Sequence, residues 1–306
     1  MRTLRSVADF TDPRDPNSLY WADFERDLVA LGRSPRTIQS YREAAQQLAG
    51  HAKGGDLLGL TKADIQDYLI NVRDRHSDST VQVRYRSLHR FYSWAEREEL
   101  IVRSPMAGMS LPKAEQKLIP VPARDDLRKL LAACSGDDFD AVRDTAIIRL
   151  FIDSGLRLSE LSGLTIQDVD RIQAQVTVRG KGSKWRQVDY SPRTGKALSK
   201  YLRIRLKHEL ARLDALWLGS RGVALTPNGV TQMIRRRCRQ AGIVQLHPHQ
   251  FRHWSASEHF AGGLSDQDAM RRFGWSTLEM AHRYGSATGA QRALNHARAL
   301  AVGDSL

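Results

Sequence analysis

Apolar residues recur with a helical period through the first hundred positions of the chain. In the stretch 19–32 they return every three or four residues, as expected of a helix with one buried face. The same period marks the stretches 34–51, 61–72 and 79–98, and none of the four reads convincingly as a strand. The pattern therefore predicts a small four-helix domain over residues 17–102.

Two of these helices carry recognisable start signals. Ser34 is placed to cap a helix whose first residue is Pro35, a position that suits the fixed φ of proline. Thr61 is followed three residues later by Asp64, which is close to a capping box. These signals predict helix starts at residues 35 and 62.

The helical pattern is interrupted twice. Residues 1–16 contain TDPRDP and predict a loose arm, too short for an additional DNA-binding domain before the first helix. Residues 103–122 hold four prolines and no steady period, which predicts an inter-domain linker. The remaining residues, 123–306, form the second predicted domain.

The second domain is predicted to be mostly helical with one small sheet. Helical patterning resumes near residues 125 and 140. The alternating stretches QAQVTVRG and WRQVDYS, joined through GKGSK, predict an antiparallel β-hairpin with lysines at its tip. Further helices are predicted at 192–211, 226–241, 248–261, 265–273 and 277–283.

The charge of the chain favours a polyanionic partner. Lys and Arg number 47 against 34 Asp and Glu, a net charge of +13. Nucleic acid is the first choice and an anionic membrane surface the second. Apolar runs fall short of the ~20 residues of a membrane span, and the N-terminus lacks the apolar core of a signal peptide. The two cysteines, Cys134 and Cys238, have no metal-ligand spacing and indicate a reducing, cytoplasmic setting.

The segment HPHQFRHW at 247–254 is the densest candidate for chemistry. His249 and His253 would share a helix face, as zinc ligands can, but no HExxH motif or acidic cluster accompanies them, and Arg252 would repel a dication. Hydrolase and nucleotide-binding motifs are absent from the sequence. A phosphate suits the segment better, because a guanidinium donates two parallel hydrogen bonds to phosphate oxygens.

Four segments together resemble the tyrosine site-specific recombinases, also called the phage integrase family, over residues 18–300. SGLRLSELSGL is similar to the family's first arginine box, and RGKGSKWRQV to its lysine-bearing hairpin. HPHQFRHW is similar to the HxxR box, and MRRFGWSTLEMAHRYG to the segment that ends in the catalytic tyrosine. The resemblance assigns catalytic positions to Arg157, Lys181, His249, Arg252, Trp275 and Tyr284.

The resemblance implies a role for each of the main reacting groups. Tyr284 attacks the scissile phosphate, giving a 3′-phosphotyrosyl link and a free 5′-hydroxyl. Arg157 and Arg252 hold the non-bridging oxygens. Lys181 protonates the leaving 5′-oxygen, with Lys184 as the alternative in the same turn.

Three further side chains support this chemistry. His249 accepts the proton of the tyrosine or hydrogen-bonds the phosphate. Trp275 stands where histidine is commoner in the family, and an indole N–H can only donate a hydrogen bond, so this residue stabilises the phosphate or buttresses the pocket. Glu160 orients Arg157 from behind. The roles of His247 and His253 stay unassigned.

The resemblance also implies the fold and the partners. The fold is a SAM-like four-helix core-binding domain followed by a mostly helical catalytic domain with a small antiparallel sheet. No metal or nucleotide cofactor is needed. The partner is double-stranded DNA with a specific core site, bound by a homotetramer in the nucleoid, with the tail TGAQRALNHARALA docking on a neighbouring subunit. We predict DNA contacts by Arg36, Arg84, Arg86, Arg90, Lys184, Arg186, Arg235, Arg236, Arg237 and Arg239.

Two other functions remain open at this point. A type IB topoisomerase would use the same tyrosine chemistry to relax DNA, and a DNA-binding regulator could use the same scaffold without turnover. The sequence does not distinguish integration, excision and resolution, and it does not identify directionality or DNA-bending accessory proteins.

Overall fold

The computed structural model divides the chain into two compact units, residues 1–117 and 118–306. The described residues are 10–113, 120–180, 185–219, 223–282 and the single positions 294 and 298. Lys181, Lys184 and Tyr284 lie outside the described residues, as does most of the predicted tail helix.

The first unit contains the four predicted helices. They are α1 (Pro16–Ala30), α2 (Pro35–His51), α3 (Lys62–Arg73) and α4 (Asp78–Arg97). Aromatic side chains of α1 and α4 pack together in its core, where the Phe24 ring lies 5.5 Å from that of Phe91 and 5.2 Å from that of Trp94. The prediction of an all-helical first domain is confirmed.

The predicted helix starts in this unit are also confirmed. The Ser34 hydroxyl accepts a hydrogen bond from the Thr37 N–H at 3.2 Å. Thr61 Oγ1 accepts from the Asp64 N–H, and the Asp64 carboxylate accepts from the Thr61 N–H at 2.8 Å. This reciprocal pair satisfies two N–H groups that a helix start leaves without partners.

The second unit is mostly helical with a three-stranded antiparallel sheet, as predicted. Its helices are α5 (Arg124–Ala132), α6 (Phe139–Ser154), α7 (Leu158–Ser162), α8 (Pro192–Arg205), α9 (Pro227–Gln240), α10 (Pro248–Ala261) and α11 (Asp266–Phe273). Its strands, in sheet order, are β1 (Val169–Asp170), β2 (Gln175–Arg179) and β3 (Trp185–Asp189). The buried helix α6 packs against α8 on one side and α10 on another, so it forms the centre of this unit.

The strands of the predicted hairpin pair in register, and their inward faces follow from that register. Val176 lies opposite Val188, and Val178 lies opposite Arg186. Because side chains alternate along a strand, Arg186 shares the inner face of β3 with the buried Val188. The turn that joins the two strands, residues 181–184, lies outside the described residues.

The prediction of one long helix over 192–211 is wrong beyond Arg205. The Arg205 side chain is 1% exposed and turns back into the protein. Its guanidinium donates hydrogen bonds to carbonyl oxygens of the loop that follows, those of Ala211, Leu213, Ala215 and Leu216. In the sequence, Arg205 looks like one more polar position of a helix. In the structure it is the last residue of α8, and its guanidinium binds the loop that follows.

A helix that crosses a lipid bilayer must be both long and apolar. Among the described helices, none is both long enough and apolar enough to cross one.

Candidate active site

A glycine at the end of α6 brings three elements into close contact. Gly155 has φ +58 and its N–H donates to the Phe151 carbonyl, which ends the helix. A Cβ at this position would lie 2.6 Å from the Phe273 ring and 3.0 Å from Ser255 Cβ. The absence of a side chain thus allows α6, α10 and α11 to meet, two residues before Arg157.

Arg157 is held from behind by a buried carboxylate. Arg157 immediately precedes the short helix α7, and the Glu160 carboxylate accepts a hydrogen bond from the Arg157 backbone N–H at 2.8 Å. The same carboxylate accepts a hydrogen bond from Arg157 Nη1 at 2.9 Å. The Glu160 side chain is 4% exposed, whereas that of Arg157 is 29% exposed. The Arg157 guanidinium therefore reaches solvent while the Glu160 carboxylate fixes its position.

A second arginine shares this carboxylate. Arg186 donates from Nη1 and Nη2 to the two oxygens of Glu160, at 2.9 Å each. Its Nε donates to the carbonyl oxygen of Arg272 at 3.0 Å, and the side chain is only 12% exposed. The sequence predicted that Arg186 contacts DNA, but the structure places it inside the protein, because it lies on the inner face of β3.

The two arginines keep Glu160 ionised. Burial acts to raise the pKa of this carboxyl group, but the hydrogen bonds from Arg186 and from the Arg157 backbone, together with the arginine charges, outweigh it and lower the pKa to about 2. Glu160 is therefore a fixed anion between two cations at neutral pH.

Arg252 is buried beside the glycine that ends α6. It is 2% exposed, and its Nη1 donates to the Gly155 carbonyl oxygen at 2.9 Å. Its Nη2 donates to the Phe273 carbonyl oxygen. The guanidinium carbon lies 5.4 Å from the centre of the Phe273 ring and 5.6 Å from that of Trp275, distances at which aromatic faces attract a cation.

Helix α11 ends in a tight left-handed turn beside these arginines. Gly274 has φ +62, and the Trp275 N–H donates to the Met270 carbonyl at 3.0 Å, as in a Schellman motif. A Cβ at Gly274 would lie 3.0–3.3 Å from the guanidinium atoms of Arg186. Glycine is therefore needed both for the backbone conformation and for the close approach of Arg186.

Three successive carbonyl groups at this helix end each accept a hydrogen bond from a different arginine. The oxygens of residues 272, 273 and 274 accept from Arg186, Arg252 and Arg157 respectively. Carbonyls in the last turn of a helix have no partner within the helix and form the negative end of its dipole. The end of α11 thus orients three cations through its backbone.

Trp275 is buried in an aromatic cluster beside Arg252. It is 5% exposed and stacks on Phe273, with ring centres 4.8 Å apart, and on Phe260 at 6.3 Å. These contacts, with Arg252 over its ring, fix the aromatic floor beneath the guanidinium. Trp275 therefore packs directly against the Arg252 guanidinium.

His249 lies in the first turn of α10, one turn before Arg252, and is accessible to solvent. The surrounding protein and the positive charges of Arg252 and Arg157 lower the pKa of its imidazole. The ring is therefore neutral at neutral pH and able to accept a proton. Arg157, His249, Arg252 and Trp275 all border one site.

The other two histidines of HPHQFRHW have different settings. His247 caps α10, and its backbone N–H donates to Gln250. His253 is buried at 7% exposure within the same helix. Across the described ranges, His, Cys, Asp and Glu side chains form no group of three or more that could hold a metal ion.

The residues predicted to contact DNA divide by exposure. Arg36, Arg86, Arg235, Arg236 and Arg239 are exposed, and Arg84 and Arg90 are partly buried. Arg84 lies 3.6 Å from the Glu43 carboxylate, so part of its charge is already paired.

Arg237 differs from this prediction because it belongs to a buried ion network. Its Nε donates at 2.9 Å to Asp144, a carboxylate with no exposure that also binds Arg143 and Arg236. Arg237 Nη1 further donates to the Ala133 carbonyl. Its guanidinium therefore joins α9 to α6 within the protein.

Sequence reasoning missed the backbone acceptors of α11 and the structural use of Arg186. Two signals could have indicated them. The alternation of β3 places Arg186 on the face of Val188, and the glycine of RRFGW marks a helix end whose carbonyls need partners. The identity of those partners depends on tertiary structure.

Comparison with known proteins identifies the family of the chain. Residues 123–290 match the Phage integrase family, and residues 21–101 match the N-terminal SAM-like domain of phage integrases. Tyrosine recombinase XerC of Pseudomonas fluorescens is 32% identical over 228 residues, covering 73% of this chain and 76% of the relative.

Two solved structures share the fold. XerH site-specific recombinase bound to a palindromic difH substrate superposes with a TM-score of 0.75 at 17% identity, covering 97% of this chain and 99% of that one. A lambda integrase tetramer bound to a Holliday junction gives a TM-score of 0.67 at 16% identity, covering 85% and 77%. Because the family match spans more than half of the sequence, the chain belongs to the phage integrase family and is a tyrosine recombinase, an enzyme that cleaves and rejoins DNA.

Proposed function

We propose that this recombinase exchanges DNA strands at a specific core site by attack of Tyr284 on a phosphate held between Arg157 and Arg252. The observation that carries the proposal is the pair of guanidinium groups fixed at one site. Glu160 and the Gly274 carbonyl hold Arg157, and the carbonyls of Gly155 and Phe273 hold Arg252. Preorganised cations of this kind stabilise the negative charge that develops on a phosphate under attack.

The proton of the nucleophile is the next requirement. A free phenol has a pKa of about 10, so Tyr284 needs a neighbouring acceptor to attack at neutral pH. His249 supplies one, because its neutral ring borders the same site. The tyrosine oxygen then bonds to phosphorus, and the bond from phosphorus to the 5′-oxygen breaks.

The leaving oxygen takes a proton from the hairpin between β2 and β3. Lys181 is the proposed donor, and Lys184 is the alternative in the same turn. Trp275 supports the pocket and takes no proton. Rejoining reverses these steps, with a 5′-hydroxyl attacking the phosphotyrosyl bond and the phenol leaving.

The partners follow from this chemistry. Exchange between two duplexes requires four strands to be cut and rejoined, which supports a homotetramer on double-stranded DNA. Lambda integrase forms a tetramer when it is bound to a Holliday junction. We place the tail helix, around Leu294, Ala297 and Ala301, at the contact between subunits, and accessory directionality or DNA-bending proteins beside the complex. A DNA substrate implies action at the nucleoid.

Covalent trapping tests the proposal directly. The purified protein is mixed in EDTA with nicked duplexes drawn from DNA flanking its own gene, and SDS-resistant protein–DNA adducts are resolved on a gel. Wild type is expected to form an adduct that Tyr284→Phe does not form. A duplex that is bound tightly and selectively at physiological salt, in the presence of competitor DNA, and is never cut would contradict strand exchange and support a regulator.

A further inference from the structure

We propose that Arg186 is a positioning residue for Arg157, an inference that rests on the proposed function of Arg157 in holding the scissile phosphate. The Nε, Nη1 and Nη2 groups of Arg186 all donate hydrogen bonds to protein acceptors, so this side chain acts through neighbouring groups rather than on the substrate. It contacts both groups that orient Arg157, namely the Glu160 carboxylate and the backbone at the end of α11.

The first contact controls how Glu160 shares its oxygens. Arg186 donates to both oxygens in a parallel pair at 2.9 Å, and Arg157 donates a single side-chain bond to one of them. A carboxylate without Arg186 would attract a second N–H of Arg157, because two buried negative oxygens need donors. Arg186 therefore satisfies the carboxylate and keeps Arg157 turned towards the substrate.

The second contact controls the other anchor of Arg157. Arg186 Nε donates to the Arg272 carbonyl at 3.0 Å, and its guanidinium atoms lie 3.0–3.3 Å from the place that a Cβ on Gly274 would take. The Gly274 carbonyl in turn accepts from Arg157 Nη2 at 3.1 Å. Arg186 thus braces the turn whose carbonyl fixes the second nitrogen of Arg157.

The geometry requires arginine at this position. One planar group donates from Nε in one direction and from Nη1 and Nη2 in another, which joins β3, α7 and α11. A lysine ammonium carries the same charge but cannot make the parallel pair to Glu160 and reach the Arg272 carbonyl together. Charge alone is therefore insufficient.

The test measures single-turnover cleavage of the nicked duplex on which wild type forms its adduct. Arg186→Gln is expected to lower the cleavage rate by about 100-fold, the usual effect of a small misplacement of a catalytic group, with DNA affinity in a gel-shift assay unchanged. Arg186→Lys is expected to stay close to the glutamine variant. Restoration of the rate by lysine would overturn the proposal, since it would mean that charge suffices.

A matched variant controls for the loss of a buried ion pair. Arg143 donates to the buried Asp144 at 2.8 Å, and it shares neither Glu160 nor the Gly274 carbonyl with Arg157. Arg143→Gln is expected to lower the thermal unfolding temperature as Arg186→Gln does, yet to keep cleavage near wild type below that temperature. Equal loss of cleavage in both variants would mean that Arg186 is merely structural.

A double-mutant cycle shows whether Arg186 acts through Arg157. In the Arg157→Lys background, Arg186→Gln is expected to change the cleavage rate by no more than about twofold. If the two residues acted independently, Arg186→Gln would slow cleavage by the same factor in both backgrounds, to within about twofold. Multiplied losses would contradict the proposal. Absence of any wild-type adduct, or an adduct that survives Tyr284→Phe, would instead refute the proposed function itself.

Discussion

The carbonyl oxygen of Gly274 accepts a hydrogen bond from Arg157 Nη2 at 3.1 Å, across 117 positions of sequence. A residue without a side chain therefore orients a guanidinium that the proposed reaction requires. The contact depends on a left-handed turn, with φ +62, that only glycine adopts readily.

Gly274→Ala is expected to impair both folding stability and cleavage. The left-handed backbone costs about 1 kcal/mol for alanine, and the new Cβ would press on the guanidinium of Arg186 at 3.0–3.3 Å. Gly242→Ala is the control, because Gly242 has φ +64 and no atom lies within 4 Å of the place that its Cβ would take. The difference between the two variants in urea unfolding and in adduct formation isolates the contact with Arg186; equal behaviour would contradict it.

Glu160→Gln is expected to change how stability depends on acid. The folded pKa is lowered to about 2 from an ordinary value of 4.5, so the ionised carboxylate stabilises the folded state above pH 4.5. That stabilisation is lost as the pH falls from about 4.5 to about 2, and its full size is on the order of 3 kcal/mol. Urea unfolding of wild type and variant between pH 2 and pH 7 measures it, and parallel curves would contradict the pairing with Arg157 and Arg186.

The rate of cleavage is expected to depend on the ionisation of His249. Partial burial and the charges of Arg252 and Arg157 lower its pKa, so the neutral, proton-accepting ring persists to more acidic pH than for a free histidine. The single-turnover rate should therefore hold at neutral pH and fall on the acid side of pH 6.5. His249→Phe should be slower and should lose this acid limb; an unchanged profile would assign the proton to another group.

Arg205→Met is expected to destabilise the second unit without affecting the chemistry. The substitution removes the donors of four loop carbonyls, of which that of Leu216 is buried, and a buried acceptor without a donor costs about 1–3 kcal/mol. Arg203→Met, an exposed position in the same helical turn, should be nearly neutral. Thermal unfolding of the two variants checks this, and similar unfolding temperatures would refute the role of Arg205 in the loop.

Arg239→Ala is expected to reduce the salt dependence of DNA binding. Arg239 is exposed on the arginine-rich helix α9, and one lost phosphate contact lowers the slope of log affinity against log salt by about 1. Gel-shift titrations over a range of salt concentrations measure the slope. An unchanged slope would remove α9 from the DNA-binding surface.

The periodic parts of the fold were predictable because one buried face imposes its spacing on a helix. The four helices of the first unit and the strands of the hairpin follow from that spacing alone. The short α7 and the two-residue β1 were not predicted, since neither is long enough to show a period. The end of α8 was missed because the partners of Arg205 lie in a loop rather than in the helix.

The candidate site was predictable only as a set of residues. The three-residue spacing brings Arg157 and Glu160 together, and the two form an ion pair in the structure. It does not reveal that Arg186 joins the same carboxylate from 26 positions away, or that Arg237 is buried on Asp144. In the sequence, an arginine on a basic surface cannot be distinguished from an arginine in a buried ion network, because the carboxylate partner is known only from the fold.

Backbone acceptors make the hydrogen bonds at the end of α11 independent of side-chain identity. The oxygens that receive Arg186, Arg252 and Arg157 belong to the peptide chain, so replacing the side chain of residue 272 or 273 does not remove an acceptor. A substitution at Phe273 would still disturb its packing against Arg252 and Trp275. Gly274 is the sensitive position of this turn. A single added carbon there would press on Arg186 and disturb the carbonyl that accepts from Arg157.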